Sequence, residues 1–144
     1  MTSTPSPALP DILVSALALI RERRVLMVTA RGRDVVYMPG GKIDPGESAR
    51  DACVREAREE VALELDPDTA VFLFDVVTQA HGEPAGRRVR MSVFTAETVP
   101  GTPTEPAASA EVSAVHWCTT ADHDRCPPAG QRVLDLLAER GLID

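Results

Sequence analysis

A short segment rich in glycine and proline constrains the fold of this chain more than any other part of the sequence. Residues 39–46 read Pro-Gly-Gly-Lys-Ile-Asp-Pro-Gly, with three glycines and two prolines in eight positions. Glycine reaches backbone conformations that other residues avoid, and proline fixes one backbone dihedral, so the segment predicts a loop with unusual geometry. The short apolar run before it, residues 35–38, predicts a strand. The sequence after it predicts a helix.

The predicted helix covers residues 49–62. Ser48 and Asp51, three residues apart, resemble a capping box, in which side chains satisfy the free N–H groups of the first turn. Ala, Arg and Glu, all good helix formers, dominate the segment that follows. Pro67 ends any continuation, because proline lacks the N–H that a helix needs.

Three carboxylates of this helix point to one side. Taking about 100° per residue, Glu56, Glu59 and Glu60 fall within an arc of about 100°. The small apolar residues that must pack on the rest of the fold lie in or beside that arc, namely Ala49, Ala52 and Cys53. A helix that is merely solvated sends its acidic side chains away from such a stripe. The pattern therefore indicates carboxylates on an inward face, a conflict with local patterning that is typical of functional sites.

A cation explains why carboxylates would share an inward face. Three carboxylates in one arc repel one another unless a positive charge lies among them, and hard oxygen ligands suit Mg²⁺ or Mn²⁺. Mg²⁺ keeps several waters in its shell, which substrate phosphates complete. The helix taken alone also fits a simpler interpretation, a charged surface helix that uses Arg55 and Glu59 as an i,i+4 ion pair.

The overall charge of the chain narrows the class of ligand. Its formal net charge at pH 7 is −7, from 22 acidic side chains against 15 Lys and Arg. Binding of a nucleic-acid backbone rests on many Lys and Arg side chains that neutralise phosphates, so no nucleic-acid partner is expected. A small polyphosphate is compatible with an acidic chain when a metal ion supplies the positive charge.

Length and residue usage predict one ordinary domain. The 144 residues suffice for a single core, and the 44% apolar and 26% charged residues are typical of globular proteins. Residues 1–10 hold three prolines among Ser and Thr and predict a disordered tail, which leaves residues 11–144 as the domain. The longest apolar run, residues 12–20, is too short to cross a membrane and does not follow the basic region of a secretory signal. Three cysteines without close pairing predict reduced thiols and a cytoplasmic protein.

The pattern outside the first helix predicts several strands. Short runs rich in apolar and β-branched residues predict them at residues 12–20, 25–30, 71–80, 89–97 and 112–117. The charged residues 21–24 between the first two runs predict a hairpin turn.

The end of the sequence predicts a second helix. Leucines and a valine recur at helical spacing over residues 129–140, and Gly141 follows them. Because strands and helices do not alternate regularly, the order favours an α/β fold with a central mixed β-sheet flanked by helices. The proline-rich residues 98–108 predict a mobile loop of a kind that often covers a site.

The residues around the first helix also match a known motif. Gly41 is followed after five residues by Glu47, and after seven more by Arg-Glu-Ala-Arg-Glu-Glu-Val-Ala-Leu, which ends at Leu63. This pattern resembles the Nudix box of the Nudix hydrolases, MutT-like proteins among them, which reads G-x5-E-x7-R-E-U-x-E-E-x-G-U with U an aliphatic residue. The resemblance covers the 23 residues of the box. The order of strands and helices over residues 11–144 is similar to the Nudix α/β/α sandwich.

Ala62 departs from the motif, which has a glycine at this position. A left-handed residue at the end of a helix costs alanine about 1 to 2 kcal/mol relative to glycine, so either the backbone is strained there or the helix ends by another route. Because Ala62 supplies no ligand, the departure concerns the local backbone more than the chemistry.

The resemblance implies that Glu56, Glu59 and Glu60 bind the metal. One of these glutamates, with Glu56 and Glu59 as the candidates, would act as base on the attacking water. A glutamate from a later loop is the alternative base, and Glu111 and Glu105 lie in or just after the predicted mobile loop. The identity of the base stays open.

The remaining residues of the motif would position the site. The resemblance implies that Arg55 and Glu47 form an internal ion pair that orients the helix. Gly40 and Gly41 would let the backbone approach the metal or a phosphate closely, with the carbonyl of Gly41 as an additional metal ligand.

Residues outside the motif are candidates for contacts with the substrate. Arg90 is a candidate for phosphate binding, although a solvated strand face is the simpler interpretation. Tyr37 and Trp117 are the single tyrosine and the single tryptophan, so few side chains are available to stack on a nucleobase, and Trp117 also fits a role in the core. His81 is a further catalytic candidate, with an ordinary loop residue as the alternative.

The resemblance implies metal-dependent hydrolysis of a phosphoanhydride bond in a nucleoside diphosphate linked to another moiety. The substrate would be a nucleoside triphosphate, an oxidised nucleotide, ADP-ribose or a sugar nucleotide, because the motif reads only the diphosphate. Mg²⁺ is the expected cofactor, with Mn²⁺ as a substitute. A nucleotide sensor without turnover and an isoprenoid diphosphate isomerase are alternatives on the same fold, and the intact set of glutamates argues against the sensor. The oligomeric state is open, with a homodimer as one option.

Overall fold

Five strands, a helix, three strands and a second helix follow one another in the part of the chain that the computed structural model describes, residues 10–80 and 86–144. The strands are β1 (Ile12–Leu17), β2 (Ile20–Arg21), β3 (Arg24–Ala30), β4 (Val36–Tyr37), β5 (Gly40–Lys42), β6 (Val71–Gln79), β7 (Arg88–Thr95) and β8 (Val112–Cys118). The helices are α1 (Ala49–Val61) and α2 (Pro128–Glu139), and no described helix is long and apolar enough to span a membrane. Residues 1–9 of the predicted tail, and His81, lie outside the described residues.

One sheet has mixed strand directions. Its order is β5-β1-β7-β6, with β1 parallel to β7 and the other two pairs antiparallel. In this sheet Ser15 of β1 lies between Gly41 of β5 and Ser92 of β7. The prediction of a loop throughout residues 39–46 is wrong for β5. Backbone pairing with β1 makes these residues a strand although glycine has little intrinsic preference for one.

A second sheet, antiparallel throughout, is built around β3. Strand β8 pairs with one edge of β3, and β2 and β4 pair with the other. Glu22 and Arg23 form the turn between β2 and β3, with φ angles of 51° and 61°, which suits a two-residue hairpin and confirms the predicted charged turn. The prediction of one strand over residues 12–20 is wrong, because the chain leaves the mixed sheet after Leu17 and joins the second sheet at Ile20.

Two hydrophobic cores share strand β3. Helix α1 contributes to one core and α2 to the other. Alternate residues of β3 divide between them, because successive side chains of a strand point to opposite faces. Val25 and Met27 belong to the core with α2, whereas Leu26 and Val28 belong to the core with α1. The resulting helix–sheet–helix arrangement confirms the predicted α/β sandwich.

Helix α1 begins and ends with specific local geometry. At its start, the Ser48 side-chain oxygen accepts a hydrogen bond from the N–H of Asp51 at 3.0 Å. At its end, Ala62 adopts φ 58° and ψ 33°, in the left-handed region, and its N–H donates to the carbonyl of Ala57. The left-handed turn that favours glycine is therefore present in this chain, and alanine occupies it.

The proline-rich residues 98–108 are fastened beside the end of α1. The N–H of Val99 donates to the carbonyl of Glu64 at 2.8 Å, and the N–H of Ala107 donates to the carbonyl of Val61 at 2.9 Å. The prolines lack donors of their own, but these neighbouring N–H groups remain available. These hydrogen bonds place the segment beside the end of α1, and its mobility stays a prediction from the sequence.

Replacing Ala62 by glycine is expected to stabilise the protein by about 1 kcal/mol, because glycine adopts the left-handed region without the clash of a Cβ atom. Urea unfolding followed by circular dichroism measures the change in the free energy of unfolding. Ala138→Gly is the matched control, since Ala138 lies inside α2, where glycine costs about 1 kcal/mol. Equal destabilisation by both substitutions would contradict the strain assigned to Ala62.

Candidate active site

A cavity of about 520 Å³ opens where the two sheets meet the ends of both helices. One part of its lining is apolar and comes mainly from β1, β7 and the start of α2, with Ile12, Val14, Val89, Met91, Pro128 and Ala129. Another part is acidic and comes mainly from α1, next to the glycines of β5. The cavity therefore presents an apolar surface and a carboxylate cluster to the same ligand.

All three glutamates of α1 line this cavity. The Glu56 side chain is only 14% exposed, Glu60 is partly buried, and the Glu59 side chain is 52% exposed. The inward face that the sequence predicts is therefore formed by Glu56 and Glu60, with Glu59 at the rim.

The two glycines of β5 permit close packing around these carboxylates. A Cβ atom at Gly41 would lie 2.6 Å from Oε1 of Glu56, so any side chain there would displace the carboxylate. A Cβ atom at Gly40 would lie 2.8 Å from the Cα atom of Ala16 in β1. Both positions need glycine for close approach, Gly41 towards α1 and Gly40 towards the neighbouring strand.

Arg55 links α1 to the loop that precedes it. Its Nε and Nη2 donate hydrogen bonds to the two carboxylate oxygens of Glu47, each at 2.9 Å, and Nη1 donates to Oε1 of Glu56 at 2.9 Å. Nη2 also donates to the carbonyl of Lys42 at 3.1 Å. The Arg55 hydrogen bonds, with one from the backbone of Asp44, lower the pKa of Glu47 to about 2. A planar fork of this kind restricts rotation of the helix relative to the loop.

Glu60 is crowded by another carboxylate. Its Oε2 accepts a long hydrogen bond from the N–H of Gly40 at 3.4 Å. Burial, followed by the hydrogen bond and the charge of Glu56, raises the pKa of Glu60 to about 8. At neutral pH the contact between Glu56 and Glu60 therefore holds a proton, because two touching carboxylates do not both ionise unless positive charge lies beside them.

The donor set fits a divalent cation that keeps part of its water shell. Within residues 10–80 and 86–144, no three His, Cys, Asp or Glu side chains are gathered closely enough to enclose a metal by themselves. Glu56 and Glu60 are nevertheless in contact, and Glu59 lines the same cavity. Mg²⁺ is usually held by one or two carboxylates together with water and phosphate oxygens, so this set is sufficient.

Two predicted residues from other elements line the same cavity. Glu111 lies just before β8, and its backbone carbonyl accepts a hydrogen bond from the N–H of Arg31 at 2.8 Å. Tyr37 lies in β4. The structure therefore brings Glu111 and Tyr37 together with the glutamates of α1. Glu105, the other glutamate of the proline-rich segment, instead pairs with Arg21 at 3.2 Å.

Arg90 is not brought into this cavity. It alternates along β7 with Val89 and Met91, which line the cavity, so its side chain lies on the opposite face of the sheet. There its guanidinium lies 3.7 Å from the carboxylates of Asp11 and Asp75. The structure therefore does not bring Arg90 to the glutamates of α1, and its placement agrees with the simpler interpretation of a solvated strand face.

Trp117 is also outside the lining of the cavity. It packs against the core that contains α1, and the Arg21 guanidinium lies 5.6 Å from the centre of its ring. Its partner in β3 is Leu26, a residue of the same core. The structure therefore does not bring Trp117 to the glutamates of α1, which leaves Tyr37 as the aromatic side chain of the cavity within the described residues.

Sequence reasoning missed the apolar part of the cavity and the buried residue Ser15. Alternation within each strand predicts which residues share a face, but only the fold shows that the parallel neighbour of β1 is β7. For Ser15 a signal was present, because it is the single polar residue in the apolar run of residues 12–20. The structure buries it fully and bonds its hydroxyl to α1.

Comparisons with known proteins agree with this fold. The chain matches the NUDIX domain family over residues 11–138. The 8-oxo-dGDP phosphatase NUDT18 of Danio rerio is 30% identical over 135 residues, which are 92% of this chain and 37% of that protein. The uncharacterised Nudix hydrolase YvcI of Bacillus subtilis is 26% identical over 133 residues, which are 90% of this chain and 82% of that protein. This chain thus spans little more than a third of the zebrafish relative.

Solved structures share the same architecture. The MutT protein from Methanosarcina mazei superposes with a TM-score of 0.72 at 19% identity, covering 94% of this chain and 99% of that one. The ORF135 protein of E. coli superposes with a TM-score of 0.69 at 25% identity, covering 95% of this chain and 96% of that one. These likenesses show that the arrangement of helices and sheets is shared with known proteins.

The raised pKa of Glu60 predicts how stability depends on pH. The carboxyl loses its proton near pH 4.5 in the unfolded chain and near pH 8 in the folded protein. Between these values the folded state binds more protons, so the contribution of Glu60 to the free energy of unfolding falls as pH rises. Thermal melts in EDTA from pH 5.5 to 8.5 should show this fall in the wild type and a flatter profile in Glu60→Gln. Parallel profiles for the two proteins would contradict the assignment.

Proposed function

This chain belongs to the Nudix hydrolase family, and we propose that it hydrolyses a phosphoanhydride bond in a nucleoside diphosphate derivative with the aid of divalent cations. The observation that carries the proposal is the burial of Glu56 against Glu60 in a cavity that they share with Glu59 and Gly41. Burying carboxylates in contact is unfavourable for an isolated protein. The arrangement becomes favourable when a cation and a phosphate ligand join it.

Mg²⁺ is the proposed cofactor, with Mn²⁺ as a substitute. When bound, such an ion would supply charge that offsets the developing negative charge on the phosphates and would lower the pKa of the attacking water. Glu56, Glu59 and Glu60 are the proposed ligands, and the carbonyl of Gly41 is a proposed additional one. All four residues line the cavity.

The chain's own residues would orient this site. Arg55 holds one oxygen of Glu56 and both oxygens of Glu47, so Glu56 is bonded to a guanidinium that is itself anchored by two parallel hydrogen bonds. Phosphoryl transfer relies mainly on positioning and electrostatics, so a carboxylate held in one orientation contributes more to catalysis than a mobile one. We assign Arg55 and Glu47 to this orienting role and Gly40 to the close contact between β5 and β1.

The apolar part of the cavity would receive the portion of the substrate beyond the phosphates. Its side chains suit a nucleobase or another flat apolar group, and Tyr37 is the proposed stacking partner. The zebrafish relative is named for an oxidised guanine nucleotide, so oxidised nucleotides are natural first candidates. Nucleoside triphosphates, ADP-ribose and sugar nucleotides also contain the required diphosphate and complete the set to be tested.

A substrate panel with variants tests the proposal. Wild-type protein with Mg²⁺ or Mn²⁺ is expected to release phosphate, pyrophosphate or nucleoside monophosphate from at least one of these compounds. Glu59→Gln and Glu60→Gln should lower kcat by roughly 100-fold or more, as loss of a group that stabilises transition-state charge does. Glu64→Gln is the control, because Glu64 pairs with Arg58 outside the cavity. Binding of nucleotides without turnover by the wild type would instead favour the sensor.

Glu111 is the proposed base from outside α1. It lines the cavity, whereas Glu105, the other glutamate of that region, pairs with Arg21 at a separate surface cavity. Glu111→Gln is expected to lower kcat about 100-fold with little change in KM, because general bases contribute roughly 100- to 10,000-fold. Glu105→Gln should leave both constants unchanged. Full activity of Glu111→Gln would assign the base to α1, with Glu56 and Glu59 as the remaining candidates.

A further inference from the structure

Ser15 is the one polar side chain that is fully buried among the residues described here. It lies in the middle of β1, in a run of otherwise apolar residues. Burying a hydroxyl is unfavourable unless it finds a hydrogen-bond partner. The partner that Ser15 finds lies on the helix that carries the glutamates.

The Ser15 hydroxyl joins the mixed sheet to the first turn of α1. Its Oγ donates a hydrogen bond to the carbonyl of Ala49 at 2.6 Å. The thiol of Cys53, one turn further along the helix, is a second hydrogen-bonding neighbour. A serine side chain has a single rotatable bond before its oxygen, so a shift of β1 would move the first turn of the helix with it.

The backbone of Ser15 also contacts β5. Ser15 is the partner of Gly41 in the register of β1 and β5. A Cβ atom on Gly40 would lie 3.0 Å from the carbonyl carbon of Ser15, so the two backbones are in close contact. Gly41 in turn abuts Oε1 of Glu56. One residue therefore touches both elements between which the Glu56 carboxylate is held.

These contacts form a closed ring of neighbouring groups. It runs from the Ser15 backbone to Gly41, from Gly41 to Glu56, back along α1 to Ala49, and from the Ala49 carbonyl to the Ser15 hydroxyl. Glu56 follows Ala49 by seven residues, which is about two helical turns, so both lie on the same side of α1. A shift of the helix along its axis would open the gap between Glu56 and Gly41.

We propose that Ser15 is a positioning residue for the carboxylates of α1, and that its hydroxyl fixes the position of this helix along its axis relative to β5. The inference rests on the proposed function, because it takes the carboxylates as cation ligands. Arg55 restrains the helix from the loop side through Glu47, and Ser15 restrains it from the sheet. Two restraints from different directions fix both the rotation of the helix and its position along its axis.

The hydroxyl bond is expected to matter more for cation binding than for folding. Replacing a residue that orients a metal ligand without binding the metal itself typically lowers metal affinity or activity about 10- to 100-fold. Loss of one hydrogen bond whose acceptor is a helical carbonyl lowers Tm by only a few degrees, because that carbonyl keeps its partner within the helix.

Titration of the 144-residue chain with Mn²⁺, with free Mn²⁺ followed by electron paramagnetic resonance, tests the proposal without turnover. Ser15→Ala is expected to raise the Kd for Mn²⁺ about tenfold. Ser92→Ala is the matched control, because Ser92 is the neighbour of Ser15 on β7 but its hydroxyl bonds to Asp75 at 2.7 Å. Ile143→Val is a stability control that trims a fully buried side chain outside the lining of the cavity. Both controls should bind Mn²⁺ within twofold of wild type.

Each outcome bears on a different statement. An unchanged Kd in Ser15→Ala, or equal weakening in Ile143→Val, would overturn the positioning role. Should Ser15→Ala fail to fold, Ser15→Cys keeps a small side chain with a weaker donor and is expected to give an intermediate Kd, with a wild-type Kd counting against the role. Absence of Mn²⁺ binding by the wild type would overturn both the role and the metal site. Weaker binding in Ser15→Ala, with no nucleotide hydrolysed by the wild type, would overturn only the proposed function.

Discussion

The contact between the carboxyl groups of Glu56 and Glu60 is the interaction on which the rest of this site depends. Two such groups repel when both are ionised, so the folded chain holds them together only with a proton or a cation between them. The surrounding structure restrains both groups, because Arg55 holds Glu56, the N–H of Gly40 contacts Glu60, and Gly41 lies against Oε1 of Glu56. The protein thus holds an unfavourable pairing that the proposed divalent ion would relieve, which would couple cation affinity to pH.

Much of this arrangement follows from the sequence, because the spacing of Glu56, Glu59 and Glu60 on a helix depends only on helical geometry. The glycines before the helix likewise indicate close backbone contact. The sequence is less informative where an outcome depends on which strands are neighbours. Arg90 and Trp117 are candidates for substrate contacts from the sequence alone, yet their positions within β7 and β8 place them outside the cavity of the glutamates. Ser15 was visible as a polar interruption, but its partner on α1 became known only with the fold.

The cavity combines two chemically different surfaces, which differ in how strongly they can discriminate between ligands. In the acidic part, Glu56 is held by Arg55 and Glu60 is contacted by the N–H of Gly40, so the arrangement favours particular positions of the proposed cation and phosphate. The apolar part is built from Val, Ile, Met and Pro side chains, which offer shape but few hydrogen bonds. Apolar pockets separate similar ligands only modestly, whereas polar groups that must be paired discriminate strongly. The reaction should therefore be better defined than the choice of leaving group.

Strand β3, whose alternate side chains belong to two cores, has a consequence for how the protein unfolds. Loss of the core around α2 would remove the packing neighbours of Val25 and Met27. The same strand places Leu26 and Val28 in the core around α1. The two cores therefore lose their support together, as parts of one cooperative unit. A ligand that binds only the folded state protects the whole of such a unit. Occupation of the glutamate site would thus slow hydrogen exchange in α2 as well, although the side chains proposed as metal ligands all lie on α1.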